Sequence, residues 1–107
     1  MTRDIIRIGP VARQDLEDLA RNYEDKFNSS EEVPMSNPNK LSLCLRRSIL
    51  KMLLEEREIE KNYVAKKLQE RHGFVNVTIF DRAWIKIRIY AIDGAYKHAQ
   101  KTATAPV

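Results

Sequence analysis

The sequence holds few of the residues on which several kinds of protein site depend. Cys44 is the only cysteine, which excludes an internal disulfide and a multi-cysteine zinc site. The three glycines are far apart and form no glycine-rich loop that could hold a nucleotide phosphate. No apolar run approaches the ~18 residues that a membrane span requires. Because the start also lacks the charged and then apolar pattern of a secretory signal, we expect a cytoplasmic protein that makes no membrane contact.

Positive charge is concentrated in the second part of the chain. Residues 1–40 carry six basic and eight acidic side chains, a net charge of −2. Residues 41–107 carry 13 basic and seven acidic side chains, a net charge of +6. A basic segment of this kind favours a polyanionic partner, nucleic acid before an anionic membrane surface. The alternative is an ordinary solvated surface that is mildly basic.

The first 39 residues are expected to form an N-terminal arm and amphipathic helix (1–27) and then a loop or hinge (28–39). A β-branched run at residues 4–8 stops at Gly9 and Pro10, which indicates a short edge strand or an arm. Apolar residues then recur at spacings of three and four, which predicts the helix. Its apolar stripe comprises Val11, Leu16, Leu19, Ala20, Tyr23 and Phe27. Two prolines, three asparagines and three serines follow, so no regular structure is expected in the loop.

Residues 40–99 are expected to form the main domain, followed by a frayed tail at 100–107. A strongly apolar, leucine-rich helix is predicted over residues 41–54, with Ser42 or Asn39 as its N-terminal cap.

A second helix is predicted after Glu58. It would end at Gly73, a residue type that commonly follows the C-terminus of a helix. The side chains expected to face inward from this helix are Ile59, Tyr63, Val64, Ala65 and Leu68.

Residues 74–92 fit two alternatives. As a hairpin, alternating β-branched residues would form two strands joined by a turn at residues 81–84. As a helix, Asn76 or Thr78 would cap the start. The apolar face of that helix would comprise Ile79, Ala83, Ile87 and Tyr90, with Phe80, Trp84 and Ala91 beside it. We favour the helix, because residues 81–84 contain no Gly, Asn or Pro for a hairpin turn. The predicted fold class is therefore mainly α, a small helical domain with a three-helix core, with the hairpin as the alternative.

The order of these elements resembles that of helix-turn-helix and winged-helix DNA-binding domains. The first helix is similar at residues 49–55 (ILKMLLE), and the second is similar at residues 63–68 (YVAKKL). In the second helix the small Ala65 would let the next helix approach closely. The third helix is similar at residues 77–83 (VTIFDRA). Under the hairpin alternative, residues 74–92 would be the wing, and the second helix would read the DNA.

The resemblance implies a module that inserts one helix into the major groove of double-stranded DNA and holds the phosphates with flanking residues. On the third helix, the candidates for DNA contacts are Asn76, Thr78, Arg82, Lys86 and Arg88. Asn and Arg have the geometry to read base edges, whereas Lys suits phosphate oxygens. On the second helix, the candidates for phosphate contacts are Lys61, Lys66, Lys67 and Arg71. A homodimer is expected, with the acidic N-terminal helix as the dimer or partner arm. The alternative for each of these side chains is a solvated position on an amphipathic helix.

No arrangement of side chains points to catalysis, a metal or a cofactor. His72 and His98 have no metal-ligand spacing with each other or with Cys44, which we expect to be a buried small hydrophobe. A solvated helix end is a better interpretation than a metal site for Glu55, Glu56, Glu58 and Glu60. Core or dimer packing is expected, rather than base stacking, for Trp84, Tyr90 and Tyr96. We therefore expect a non-catalytic DNA-binding regulator of transcription or replication. The alternatives are a protein-interaction adaptor and an RNA-binding protein.

Overall fold

Four helices and two short strands make up the described part of the computed structural model. That part comprises residues 4–9, 13–73 and 76–93, with the backbone alone at 92 and 93. In chain order the elements are β1 (Ile5–Arg7), α1 (Arg13–Asn28), α2 (Pro38–Glu56), β2 (Glu58–Glu60), α3 (Lys61–His72) and α4 (Val77–Asp93). The predicted mainly α class is confirmed.

Helices α1 and α2 pack against each other through the apolar stripes that the sequence predicts. The buried residues of α1 are Leu16, Leu19 and Tyr23. α2 begins at Pro38, whose missing N–H costs nothing in the first turn of a helix. Asn37 Oδ1 accepts a hydrogen bond of 2.9 Å from the N–H of Asn39. Asn37 is therefore the cap, and the prediction of Ser42 or Asn39 in that role is wrong, because the helix begins one residue before Asn39.

The buried side chain of Lys40 covers the C-terminal end of α1. Lys40 is only 7% exposed, and its Nζ donates to the carbonyl of Phe27 at 3.3 Å and to the carbonyl and hydroxyl oxygens of Ser30. The ring of Phe27 also contacts the cationic groups of Lys40 and Arg47, which lie 4.3 and 4.1 Å from its centroid. These contacts add a charged donor to carbonyls at and just beyond the end of α1, which also accept hydrogen bonds from the N–H groups of Ser30 and Val33.

Strand β2 separates α2 from α3. Arg57 ends α2 with a left-handed φ of 68°, and its N–H donates to the carbonyl of Leu53. β2 pairs antiparallel with β1, and Ile59 lies opposite Ile6. Both isoleucines are buried, because residues directly opposite each other on paired strands point to the same face of the sheet. The prediction that Ile59 faces inward is therefore confirmed, but its assignment to a helix is wrong.

Helix α4 occupies residues 77–93, so the hairpin and wing alternative for residues 74–92 is wrong. The residues that face the core are Phe80, Ala83, Trp84, Ile87 and Ala91. Their spacing of three and four places them on one side of a helix, whereas a strand would have sent them to two faces. This buried side packs mainly against α2.

The residues that flank β1 attach to both α3 and α4. The N–H of Lys61, the first residue of α3, donates to the carbonyl of Asp4 at 2.9 Å. At the other end, the N–H of Gly9 donates to the carbonyl of Ala91 near the end of α4 at 3.1 Å. Residues 4–9 therefore help to position α3 and α4, the two helices that carry the candidate DNA contacts.

Some predictions concern residues outside the described ranges: the tail at 100–107 and the side chains of Val11, Tyr96 and His98. Within the described ranges, no helix has both the length and the apolar content that crossing a bilayer requires.

Candidate nucleic-acid interface

The side of α4 that faces away from the core is exposed. We call it the α4 stripe, and it comprises Thr78, Arg82, Ile85, Lys86 and Ile89. At 100° per residue these positions fall within one narrow sector of the helix. Arg82 and Lys86 form no ion pair with any described residue. The one acidic residue of positions 77–90, Asp81, lies beside the stripe and pairs with Lys61, so the two cations of the stripe remain available to an anion.

Asn76 positions the start of the α4 stripe. Its Oδ1 accepts a hydrogen bond of 3.1 Å from the N–H of Ile79, and its carbonyl accepts one of 2.9 Å from the N–H of Phe80. Of the two caps that the sequence allows, the structure therefore uses Asn76, and Thr78 lies exposed beyond it. Capping uses the side-chain oxygen of Asn76 and leaves its Nδ2 as a donor.

Two of the candidate cations already have partners within the chain. Arg88 Nη1 lies 3.0 Å from Asp4 Oδ1, and Lys61 Nζ lies 3.0 Å from Asp81 Oδ1. The first pair joins α4 to the residue before β1, and the second joins α3 to α4. Both cations therefore have a structural role, which sequence patterns do not reveal because each partner lies on another element.

Helix α3 presents one side to the core and a mixed polar side to solvent. Val64 and Leu68 are fully buried, whereas Tyr63 is 46% exposed. The prediction that Tyr63 faces inward is wrong, because it lies 100° around the helix from Val64. Its ring instead accepts the ammonium group of Lys67, which lies 5.4 Å from the ring centroid.

The exposed cations of α3 point in two directions. Lys67 and Arg71 are four residues apart and share one side of the helix. Lys66 lies about 100° around the helix from Lys67. None of the three forms an ion pair with a described residue. They therefore form a broad basic surface on α3 rather than a single row.

The structure brings Cys44 and His72 together, a pairing that sequence reasoning missed. Cys44 Sγ lies 3.9 Å from His72 Nε2, although 28 residues separate them along the chain. Burial raises the pKa of the Cys44 thiol above its ordinary value, and it outweighs the opposing effect of Arg47. Burial also lowers the pKa of His72, with Arg71 as the next cause. Both groups are therefore neutral near pH 7, and the expected role of Cys44 as a buried hydrophobe is confirmed.

The aromatic residues of α4 do not form a platform for stacking bases. Trp84 is buried in the core against Phe80, with 6.2 Å between their ring centroids. Trp84 Nε1 has no hydrogen-bond partner among the described residues. Tyr90 is partly buried at the edge of the same core. For Trp84, the prediction of core packing is confirmed.

Neither a metal-binding cluster nor a known relative points to another site in the described residues. Among residues 4–9, 13–73 and 76–93, no three His, Cys, Asp or Glu side chains converge to hold a metal ion. Comparison with protein-family models, with curated proteins and with solved structures found no match. The geometry of the described residues is therefore the basis of the proposed function.

Proposed function

We propose that this chain is a non-catalytic DNA-binding protein that inserts α4 into the major groove and regulates transcription or replication. The observation that carries the proposal is the α4 stripe, which has a hydroxyl group and two cations without an ion-pair partner among the described residues. The guanidinium of Arg82 has the fork of donors that matches guanine O6 and N7. Lys86 and Thr78 suit phosphate oxygens or base edges. An α-helix fits the major groove, which is about 12 Å wide.

The connection between α3 and α4 supports this assignment. Four positions, residues 73–76, separate the two helices, and Gly73 follows α3 with a φ of 75°. Helix-turn-helix units have a turn of three or four residues that often contains glycine. The second helix of such a unit enters the groove. In this chain the second helix is α4.

The partners of the cations divide the candidate residues into two groups. Arg88 and Lys61 hold Asp4 and Asp81 and do not contact DNA directly. Base contacts fall to Thr78, Arg82 and Lys86, with the Nδ2 of Asn76 at the start of the helix. Phosphate contacts fall to three cations of α3 that have no carboxylate partner among the described residues: Lys66, Lys67 and Arg71.

The first experiment measures the affinity of the protein for a short mixed-sequence duplex, by fluorescence anisotropy at several salt concentrations. Each phosphate that the protein neutralises contributes about 0.9 to the slope of log Kd against log salt. We expect binding at low salt that weakens steeply as salt increases. Absence of binding at the lowest salt concentration would overturn the proposal.

A matched pair of variants tests whether the α4 stripe makes the contact. Arg82→Ala with Lys86→Ala should weaken binding about tenfold or more. The control, Lys26→Ala with Lys51→Ala, removes the same charge from exposed positions on α1 and α2 and should have a much smaller effect. Equal losses in both variants would show that net charge alone attracts the DNA and that α4 is not the reading helix.

A second pair tests the basic surface of α3. Lys66→Glu with Lys67→Glu should weaken binding by a similar factor for every duplex sequence, because phosphate contacts carry no base information. Lys26→Glu with Lys51→Glu is the control for charge. Unchanged affinity in the first variant, with an unchanged circular dichroism spectrum, would remove α3 from the interface.

A protein-interaction adaptor is the second candidate function, and one observation favours it. Ile85 and Ile89 of α4 are 56% and 48% exposed and are neighbours on the helix surface, whereas Val77, 70% exposed, lies in another sector. Exposed apolar residues that cluster on one surface are typical of sites for protein partners. The two candidates differ in their expected affinity for duplex DNA at low salt, which an adaptor would lack.

The expected homodimer belongs to the first candidate, the DNA-binding protein. Its interface would use the polar outer side of α1, because the apolar stripe of α1 lies in the chain's own core.

A further inference from the structure

Two isoleucines interrupt the polar α4 stripe. Ile85 and Ile89 are more than 45% exposed and take no part in the core. They are four residues apart, so their side chains are neighbours on the helix surface. Together with Arg82, Lys86 and Tyr90 they line a shallow depression of about 340 Å³. The apolar pair therefore lies directly beside the two cations that the proposed function assigns to DNA.

Two cations beside an apolar pair favour an anionic partner with an apolar feature at its surface. The major groove of DNA has both properties. Its walls are lined by phosphates, and the C5-methyl group of thymine is the apolar group that the base edges present there. The surface of a typical protein partner would offer a larger apolar area but no regular array of negative charge.

We infer that Ile85 and Ile89 bind thymine methyl groups, so that the protein prefers duplexes with thymine at the positions opposite these two residues. This inference rests on the proposed function, since it requires α4 to lie in the major groove. The two residues are about 6 Å apart along the helix axis, which corresponds to about two base-pair steps of 3.4 Å. Thymines one or two steps apart are therefore within reach of the pair, and Arg82 lies one turn before Ile85, towards the start of the helix.

The test uses two A·T-rich duplexes of identical sequence, one with thymine and one with deoxyuridine at every thymine position. Replacing thymine by uracil removes the methyl groups and leaves the charge and the hydrogen-bonding groups in place. Burying one methyl group is worth about a fourfold change in affinity. We expect the wild-type protein to bind the uracil duplex about four- to fifteenfold more weakly. A G·C duplex should gain affinity when its cytosines are replaced by 5-methylcytosine, which places a methyl group in the same groove.

Two variants assign the effect to the isoleucines. Ile85→Ala with Ile89→Ala should bind the thymine and uracil duplexes equally, because the partner of the methyl groups is gone. Alanine favours the helix, and both positions are exposed, so this variant should fold. Val77→Ala is the matched control. It removes an exposed apolar side chain from another sector of α4 and should preserve the preference for thymine.

The other outcomes of the duplex measurements distinguish failure of the thymine inference from failure of the proposed function. Equal, salt-dependent binding of both duplexes by the wild-type protein would overturn the thymine inference and leave the DNA-binding function intact. A preference for thymine that survives in the double variant would also overturn the inference, since duplex properties would then explain it. Absence of binding to every duplex would overturn the function and the inference together. If sedimentation shows a wild-type dimer that the double variant loses, a second copy covers the isoleucines and the inference is wrong.

Discussion

Lys61 Nζ lies 3.0 Å from Asp81 Oδ1, and this ion pair joins the first residue of α3 to the start of α4. Both side chains are partly exposed, so the pair contributes at most about 1 kcal/mol to stability. Its larger effect is on the surface charge, because it neutralises a cation next to the α4 stripe. Lys61, a basic residue of α3, therefore helps to fix the position of α4.

Replacing Asp81 by asparagine should strengthen DNA binding. Asp81→Asn releases Lys61 and removes a negative charge beside the α4 stripe, so duplex affinity should increase several-fold. If the released Lys61 contacts a phosphate, the salt dependence should become steeper by about one unit. Asp25→Asn removes the same charge from an exposed position on α1 and is the control. Equal affinities for wild-type protein and Asp81→Asn would show that this end of the helix pair lies away from the DNA.

Replacing Lys40 by methionine should destabilise the fold. Lys40→Met keeps most of the apolar stem but removes the ammonium group that binds the carbonyls of Phe27 and Ser30. Because hydrogen bonds from a charged donor are lost, although the N–H groups of Ser30 and Val33 still donate to these carbonyls, we expect the free energy of unfolding to decrease by about 1–3 kcal/mol. Urea denaturation followed by circular dichroism measures this difference. Lys26→Met, at an exposed position, should stay within about 0.5 kcal/mol of the wild type. A similarly small effect at Lys40 would mean that water replaces the ammonium group.

Replacing Trp84 by phenylalanine should cost little stability. The smaller ring leaves a cavity, but it also removes the buried Nε1, which has no partner among the described residues. An unsatisfied buried donor costs about 1–3 kcal/mol, a range that offsets the lost packing. We expect a net change of less than about 1 kcal/mol, against about 2–5 kcal/mol for Ile87→Ala in the same core. Circular dichroism is the suitable probe, since Trp84 is the only tryptophan. A loss as large as that of Ile87→Ala would indicate a hydrogen-bond partner for Nε1 in solution.

The stability of the protein should depend on pH through His72. Burial and the nearby Arg71 and Arg47 lower the pKa of His72 below its ordinary value of about 6.5. The unfolded chain therefore binds more protons than the folded chain as pH falls through 6.5, and the free energy of unfolding decreases over that range. Thermal denaturation at pH 7.5 and 5.5 should show a smaller decrease in Tm for His72→Gln than for the wild type. His98→Gln, the control, should retain the decrease that His72 causes. An identical pH dependence in His72→Gln and wild type would contradict the assignment.

Periodicity predicted the helices better than it predicted what lies between them. The spacing of Leu16, Leu19 and Tyr23, and of the buried residues of α4, identifies one face of each helix without reference to the rest of the molecule. Strand β2 carries no such signal, because it has three residues, two of them glutamates, and its partner β1 lies 51 or more residues earlier. Short strands of this kind form because a distant strand supplies the hydrogen bonds.

The candidate site was predictable in composition but not in the availability of its charges. Helical spacing places Arg82 and Lys86 on the exposed side of α4, as the sequence suggests. It cannot show that Arg88 is held by Asp4, which is 84 residues away. No pattern in the sequence identifies Ile85 as an exposed residue of a helix. Its exposure follows from the direction in which α4 packs on α2.

The pairing of β1 with later parts of the chain has a consequence for synthesis on the ribosome. Residues 4–9 are translated before their partners, which include Glu58 to Glu60 of β2, the N–H of Lys61 and the carbonyl of Ala91. They must stay unpaired until those residues have left the exit tunnel, and contacts so distant along the sequence form slowly. In the growing polypeptide, α1 and α2 can therefore associate before the segment that precedes them has found its place.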